Sequence, residues 1–174
     1  MKKAAFAVFV VMCFTLMATA QTQADWVKYA SADGRYAVSM PVKPDLKEQE
    51  GTTKTGEKSR QYLAQAIAGT NVYMVGYFDI AETMTFSLDN ARDGAVNAVS
   101  GKLLKESSIS LGGSPGRQLT VAATYNGIDF FDHVRIYQVS RRVYFLQHIF
   151  PKEEEGSANN EKTDKFFDSF KVDR

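Results

Sequence analysis

The chain has 174 residues, of which 44% are hydrophobic and 24% charged, and its 21 Lys and Arg residues almost balance its 20 Asp and Glu residues. The formal net charge of +1 offers no extended basic surface, so nucleic acid and anionic membrane surfaces are excluded as expected partners. The length suits one domain with its own hydrophobic core.

The N-terminus has the pattern of a secretory signal peptide. Lys2 and Lys3 precede an apolar run from Ala4 to Met17, and Ala18-Thr19-Ala20 matches the small-x-small pattern that signal peptidases recognise. The apolar run is shorter than the roughly 20 residues of a membrane-spanning helix. We therefore expect cleavage between Ala20 and Gln21, no stable membrane insertion afterwards, and an exported protein that is periplasmic or extracellular.

Cleavage would also restrict the chemistry of the mature chain. Cys13, the single cysteine, lies in the leader, so a mature chain has no structural disulfide, thiolate metal site or catalytic thiol. Loss of the two leader lysines leaves 19 basic and 20 acidic residues, a formal charge of −1. The sequence thus predicts a signal peptide over 1–20 and a single domain over 21–174.

The first part of the body is predicted to contain two β-hairpins. Asp33-Gly34 separates the β-type runs Trp26–Tyr29 and Arg35–Met40, which is a strong hairpin signal. Gln61–Ala68 and Asn71–Ile80 are stronger strands joined by Gly69-Thr70. The second of these is apolar on both faces, which indicates that both sides of the sheet are covered.

The segment between these hairpins and the segment after them are less regular. Asp45–Arg60 is polar and rich in Gly and Thr, which is typical of a mobile hairpin or an edge segment, or alternatively of a solvated loop. From about Ser87 to Leu104, apolar residues recur every 3.6 positions and Ser87 can cap the first turn, so a helix is predicted there.

The second half is predicted to add four strands and a closing helix. The strand candidates, in chain order, are Lys105–Leu111, Gln118–Tyr125, Phe130–Val139 and Val143–Phe150, and the helix runs from about Glu161 to Lys171 with Phe166, Phe167 and Phe170 on one face. Strands paired by short turns, with one central and one terminal helix, describe an α+β domain built on an antiparallel sheet.

Several segments together resemble a group of small exported bacterial proteins with the PsbP-like fold, many of unknown function. The matching segments are Trp26–Tyr29, Asp33–Pro41, Ala91–Val96, Gly113–Arg117, Arg135–Tyr137 with Tyr144, and Phe166–Phe170. The resemblance implies an α/β/α sandwich with a central antiparallel sheet flanked by helices. It also implies a binding or accessory role, which is the main role of the known members of the wider fold.

The last hairpin brings the two histidines of the chain close together. If Arg141-Arg142 forms the tight turn, Arg135 lies opposite His148 and His133 lies opposite Phe150. The two histidines would then be diagonal neighbours on one face of the sheet. A change of one residue in the loop would place them on opposite faces.

A histidine pair in this position has two interpretations. With Asp132 or Asp129 nearby, His133 and His148 could bind a metal ion or respond to acid in the physiological range. Alternatively, they are partly buried sheet residues that form local hydrogen bonds.

The aromatic residues of the last three strands also have two interpretations. They exceed what one core needs, so some could face outward and form a binding groove, for which the candidates are Phe131, Arg135, Tyr137 and Tyr144. Alternatively, they pack beneath the phenylalanines of the closing helix.

No motif in the body is specific for a reaction or a cofactor. Gly112–Gly116 matches the G-x-S-x-G pattern, but Pro115 lacks the backbone N–H that an oxyanion hole requires there. We expect a non-enzymatic binding or accessory protein without a cofactor, whose partner is a protein or a small apolar ligand held against the sheet. The alternative is a metal-binding or enzymatic protein that uses His133 and His148.

Overall fold

The computed structural model describes residues 26–52 and 58–173. The predicted leader and its cleavage site at Ala20 and Gln21 lie outside the described residues, as does the centre of the polar 45–60 segment. The elements are β1 Val27–Ser31, β2 Tyr36–Met40, β3 Asp45–Thr52, β4 Lys58–Ala68, β5 Asn71–Asp79, α1 Leu88–Ala98, β6 Lys102–Leu111, β7 Ser114–Tyr125, β8 Ile128–Val139, β9 Arg142–Pro151, a 3₁₀ turn Lys152–Glu154, α2 Ser157–Asp168 and β10 Lys171–Val172.

Seven strands form one antiparallel sheet in the order β3-β4-β5-β9-β8-β7-β6. The predicted β4–β5 hairpin is confirmed, with Ala68 opposite Asn71. The polar Asp45–Thr52 segment is β3, which pairs with β4 along its whole length and forms one edge of the sheet. β6 forms the other edge, so the central strands β5 and β9 are the most protected.

A smaller sheet, in the order β1-β2-β10, lies over one face of the large sheet together with α2. The predicted Asp33-Gly34 hairpin is confirmed, with Tyr29 opposite Val38. The aromatic face of α2 packs into the same core as the inward residues of β2 and β5; its members include Tyr36, Val38, Met40, Tyr73, Val75, Tyr77, Phe166, Phe167 and Phe170.

Helix α1 covers the other face of the large sheet. Ser87 caps it as predicted, because its side-chain oxygen accepts a hydrogen bond from the Asn90 backbone N–H. Ala91 and Ala95 are buried against the sheet, and the core on this side includes Met74, Leu119, Val134 and Phe145. β5 is therefore covered on both faces, as its sequence predicted.

The prediction of a central antiparallel sheet is confirmed, and the prediction that helices flank it is only partly correct. Each face carries one helix, but a second sheet shares the α2 side, so the domain is dominated by strands. None of the described helices combines the length and the apolar character needed to cross a bilayer.

Both predicted helices differ from the observed ones at their ends. α1 ends at Ala98 rather than near Leu104, since Ser100 adopts a positive φ of 48° and Leu103 pairs with Val121 in the sheet. Cross-strand pairing there overrides the helical spacing. α2 begins at Ser157 and ends at Asp168, earlier at both ends than predicted, because the chain then extends into β10.

Candidate functional site

The β8–β9 hairpin turns at Ser140-Arg141 rather than at Arg141-Arg142. Ser140 adopts a positive φ of 56°, and the predicted register is wrong by two residues. His133 therefore pairs directly with His148, not with Phe150. An even shift leaves every side chain on its predicted face, so the two histidines do share one face of the sheet.

His148 is fully buried between the large sheet and α2. Its Nε2 lies 2.9 Å from the Asn71 Oδ1 and its Nδ1 lies 2.7 Å from the Thr163 Oγ1. An amide oxygen only accepts, so Nε2 carries the hydrogen and Nδ1 is the acceptor of the neutral ring; it faces the Thr163 hydroxyl, whose single hydrogen is shared with the backbone oxygen of Asn159. Burial lowers the pKa of His148 to about 3. The ring is therefore neutral, and both of its nitrogens are engaged within the protein.

The contacts of His148 continue into a polar network around Glu154. Asn71 donates its amide N–H to the Glu154 carboxylate over 2.9 Å, and the Thr70 hydroxyl donates to the same carboxylate. Asn159 donates to the backbone oxygen of Glu154, while Thr163 approaches the backbone oxygen of Asn159 at 2.8 Å. Burial alone would raise the pKa of Glu154, but these hydrogen bonds outweigh it and the pKa is lowered. The network fastens α2 to the end of the sheet.

His133 and Asp132 do not complete a metal site with His148. The His133 Nδ1 lies 3.3 Å from the Thr120 Oγ1, and the ring stacks on Phe150 with centroids 5.4 Å apart. Asp132 points to the opposite face of the sheet, because successive strand residues alternate. Within residues 26–52 and 58–173, no group of three or more His, Cys, Asp or Glu is placed to hold a metal ion.

The four predicted partner-binding residues lie beneath α2 and the small sheet. Phe131, Tyr137 and Tyr144 are only 6%, 4% and 2% exposed. Arg135 forms an ion pair with Asp168 of α2 at 2.8 Å. Phe131, Tyr137 and Tyr144 therefore do not line an open groove, whereas Tyr125 of the same three strands is exposed.

An exposed apolar surface that includes Tyr125, one of the aromatic residues of the last three strands, lies at one end of the large sheet. The β4–β5 and β7–β8 turns both lie at this end, with β5 and β9 between β4 and β8, and the surface is on the face that carries α1. Ile67, Tyr125 and Ile128 are 52%, 45% and 55% exposed there. Tyr125 pairs directly with Ile128, so their side chains project to the same side. We call these three residues the hairpin-end surface.

Buried apolar residues continue inward from the hairpin-end surface. Ile67 pairs with Val72, and Val72 pairs in turn with Ile149. Val72 and Ile149 form a separate small core cluster with Phe130 and Ala123, against which Val99 at the end of α1 packs. The hairpin-end surface is thus the exposed margin of a core cluster that lies where α1 stops.

A crevice lies at the opposite end of the same face. It is lined by Ser59, Phe78, Asp79, Ile80, Met84, Thr85 and Phe86 and has about 20 Å³ of free space. That volume accommodates about one water molecule. It is much smaller than the roughly 300–1,000 Å³ of pockets that enclose small-molecule ligands.

The fold is similar to three solved structures. Cyanobacterial PsbP (CyanoP) from Synechocystis sp. PCC 6803 matches with 12% identity and a TM-score of 0.56, over 91% of this chain and 98% of that one. A protein of unknown function from Pseudomonas aeruginosa matches with 9% identity and a TM-score of 0.41, over 80% and 91% of the two chains. A protein from Bacteroides thetaiotaomicron matches with 15% identity and a TM-score of 0.48, over 88% and 50%.

The comparisons by sequence give no further assignment. No protein-family model and no curated protein matches this chain. The agreement with CyanoP covers nearly the whole of both chains, and at this level of identity it establishes the architecture alone. The chain therefore has the PsbP-like fold that its sequence resembles.

Proposed function

We propose that this protein is a non-enzymatic accessory protein that binds a protein partner through the hairpin-end surface. The observation that carries the proposal is the exposure of Ile67, Tyr125 and Ile128 on one face, each between 45% and 55%. These side chains adjoin a buried apolar cluster instead of standing alone on a polar surface. Exposed apolar side chains at the margin of a buried cluster are a feature of protein contact sites.

The chemistry of the histidines supports a non-enzymatic role over the alternative. His148 has both ring nitrogens bonded to Asn71 and Thr163, so it can neither ligate a metal ion nor exchange a proton with a substrate without breaking that network. Thr120 approaches one ring nitrogen of His133, and Phe150 covers its ring. Both residues therefore act as structural links in the sheet.

The geometry favours a protein over an enclosed small ligand. The crevice near Phe86 accommodates about one water molecule, whereas the hairpin-end surface is open and spans side chains from β4, β7 and β8. The leader pattern at residues 1–20 supports a site of action in the periplasm or outside the cell.

The test is a pull-down from envelope extracts with three forms of the tagged exported chain. The wild type is compared with Ile67→Thr/Ile128→Thr, which removes apolar surface while keeping β-branched side chains. The matched control is Val27→Thr/Leu46→Thr, which changes residues that are 41% and 66% exposed on other strands. Circular dichroism verifies that all three are folded.

We expect the wild type and the control to capture the same partner and the Ile67→Thr/Ile128→Thr variant to lose it. Equal capture by all three forms would contradict the proposed surface. Failure of the wild type to enrich any protein would contradict the accessory role itself.

A further inference from the structure

A buried carboxyl group and a buried amide face each other beneath the α1 side of the large sheet. Asp132 is 0% exposed and Gln147 is 2% exposed. The Gln147 Nε2 donates a hydrogen bond of 2.9 Å to the Asp132 Oδ2. The other two oxygens, Asp132 Oδ1 and Gln147 Oε1, have no hydrogen-bond partner among the described residues. Both are acceptors in their ordinary forms, so the pair lacks one hydrogen.

Within residues 26–52 and 58–173, the strand residues around Asp132 provide no positive charge that would hold a carboxylate. Its cross-strand neighbours are Val121 on β7 and Ile149 on β9, and the residues on the same face of β8 are Phe130 and Val134. His133 and Arg135 of the same strand project to the opposite face.

The charged residues of α1 are engaged elsewhere. Arg92 lies 2.8 Å from Asp93 and 3.3 Å from Glu106, and Arg117 of β7 pairs with Glu106 and with Asp89. These partly exposed pairs form a surface network at the start of α1. They leave Asp132 with one amide donor.

We propose that Asp132 is a buried proton-binding site, in which the neutral carboxylic acid pairs with the Gln147 amide through two hydrogen bonds. The added hydrogen on Oδ1 donates to Gln147 Oε1, while the amide N–H of Gln147 continues to donate to Oδ2. One proton thereby satisfies both unpartnered oxygens. A carboxylate would instead leave two acceptors buried side by side, which is costly in an apolar interior.

The electrostatics agree with this geometry. Burial raises the pKa of Asp132 to about 8, and the hydrogen bond from Gln147 offsets only part of that rise. In the unfolded chain the pKa of Asp is about 3.9. The stabilisation by this group is therefore complete below about pH 4 and is lost as the pH rises towards 8, with the unfolding constant increasing about tenfold per pH unit.

The site gives the α1 face a response to alkaline pH. Asp132 lies in the same cross-strand row as Ile67, Val72 and Ile149. Loss of its proton places a charge in this apolar layer, which favours opening of the layer to water.

The test compares wild type with Asp132→Asn, in which an amide supplies the missing hydrogen permanently. The matched control is Asp129→Asn, on the same strand, where an exposed carboxylate accepts from the Thr124 hydroxyl over 2.6 Å. Urea unfolding, followed by the fluorescence of the single residue Trp26, is measured from pH 5 to pH 8. The unfolding constants of wild type and of Asp129→Asn are expected to rise about tenfold per pH unit relative to Asp132→Asn.

A second measurement on the wild-type chain does not depend on any variant folding. The side-chain carboxyl carbon of Asp132, observed by ¹³C NMR, is expected to keep the chemical shift of a protonated acid at pH 6 and to titrate near pH 8. A carboxylate shift at pH 6, or equal pH dependence in wild type and Asp132→Asn, would overturn the proposal.

Discussion

Replacement of His148 by Gln tests whether a neutral imidazole with hydrogen bonds at both ring nitrogens holds α2 on the sheet. The Gln side chain can retain one of the hydrogen bonds to Asn71 and Thr163, so one buried polar group loses its partner at a cost of about 1–3 kcal/mol. The stack of the ring on Tyr73, with centroids 4.2 Å apart, is also lost and adds about 0.5–1.5 kcal/mol. At pH 7 the variant is therefore expected to be about 1.5–4.5 kcal/mol less stable than the wild type.

The pH dependence of this difference gives the sharper test. The pKa of His148 is about 3 in the folded protein and about 6.5 in an unfolded chain. A lowered folded pKa gives stability that is complete above pH 6.5 and is lost as the pH falls towards 3, at about 1.4 kcal/mol per pH unit. The wild type should therefore lose about 2 kcal/mol through this group between pH 6.5 and pH 5, whereas His148→Gln should not.

The assay is urea unfolding of both proteins at pH 7 and pH 5. All other titrating groups, Asp132 included, are common to both chains, and their contributions largely cancel in the difference. The stability gap between wild type and variant should narrow by about 2 kcal/mol at pH 5. A gap that is equal at the two pH values would refute the neutral, buried state of His148.

Two further predictions concern packing. The Phe166 side chain is fully buried, and its ring centroid lies 5.5 Å from that of Tyr73. Phe166→Ala should therefore lower the free energy of unfolding by about 3–5 kcal/mol. A loss below about 1 kcal/mol would contradict the role of α2 in covering the core. Gly76→Ala places a Cβ against the Phe145 ring and 2.8 Å from the backbone oxygen of Tyr62, and it should lower the free energy of unfolding by about 1–3 kcal/mol. An unchanged free energy of unfolding in Gly76→Ala would contradict this packing.

The strands and the two-sided core could be predicted from sequence because their signals are local. Asp33-Gly34 and Gly69-Thr70 mark turns by residue type, and the alternation in Asn71–Ile80 places apolar groups on both faces whatever the neighbouring strands are. The observed sheet keeps all of these features. The phenylalanines of α2 likewise predicted which face of that helix packs against the core.

The features that could not be predicted depend on contacts between distant parts of the chain. The β8–β9 register depends on whether Ser140 adopts a positive φ, as it does, which its residue type does not require. The end of α1 depends on pairing between β6 and β7. The end of α1 determines which part of the sheet the helix leaves uncovered. The exposure of Ile67 and Ile128 could therefore be recognised only from the three-dimensional fold.

The burial of Asp132 was also outside the reach of sequence reasoning. A carboxylate is rarely buried without a charged partner, and a strand position next to His133 suggested a shared site. The alternation of the strand instead sends the two side chains to opposite faces, and the interior amide of Gln147 is the partner. Only the three-dimensional arrangement identifies that pair.

The central claim is that the hairpin-end surface contacts a protein partner, and site-specific photo-crosslinking in cells tests it most directly. A photoreactive residue is placed at Ile128 in one form of the chain and at Leu46 in another, since these positions are 55% and 66% exposed on different strands. We predict a discrete crosslinked adduct from position 128 and none from position 46. Adducts of equal yield from both positions, or an adduct from position 46 alone, would contradict the account.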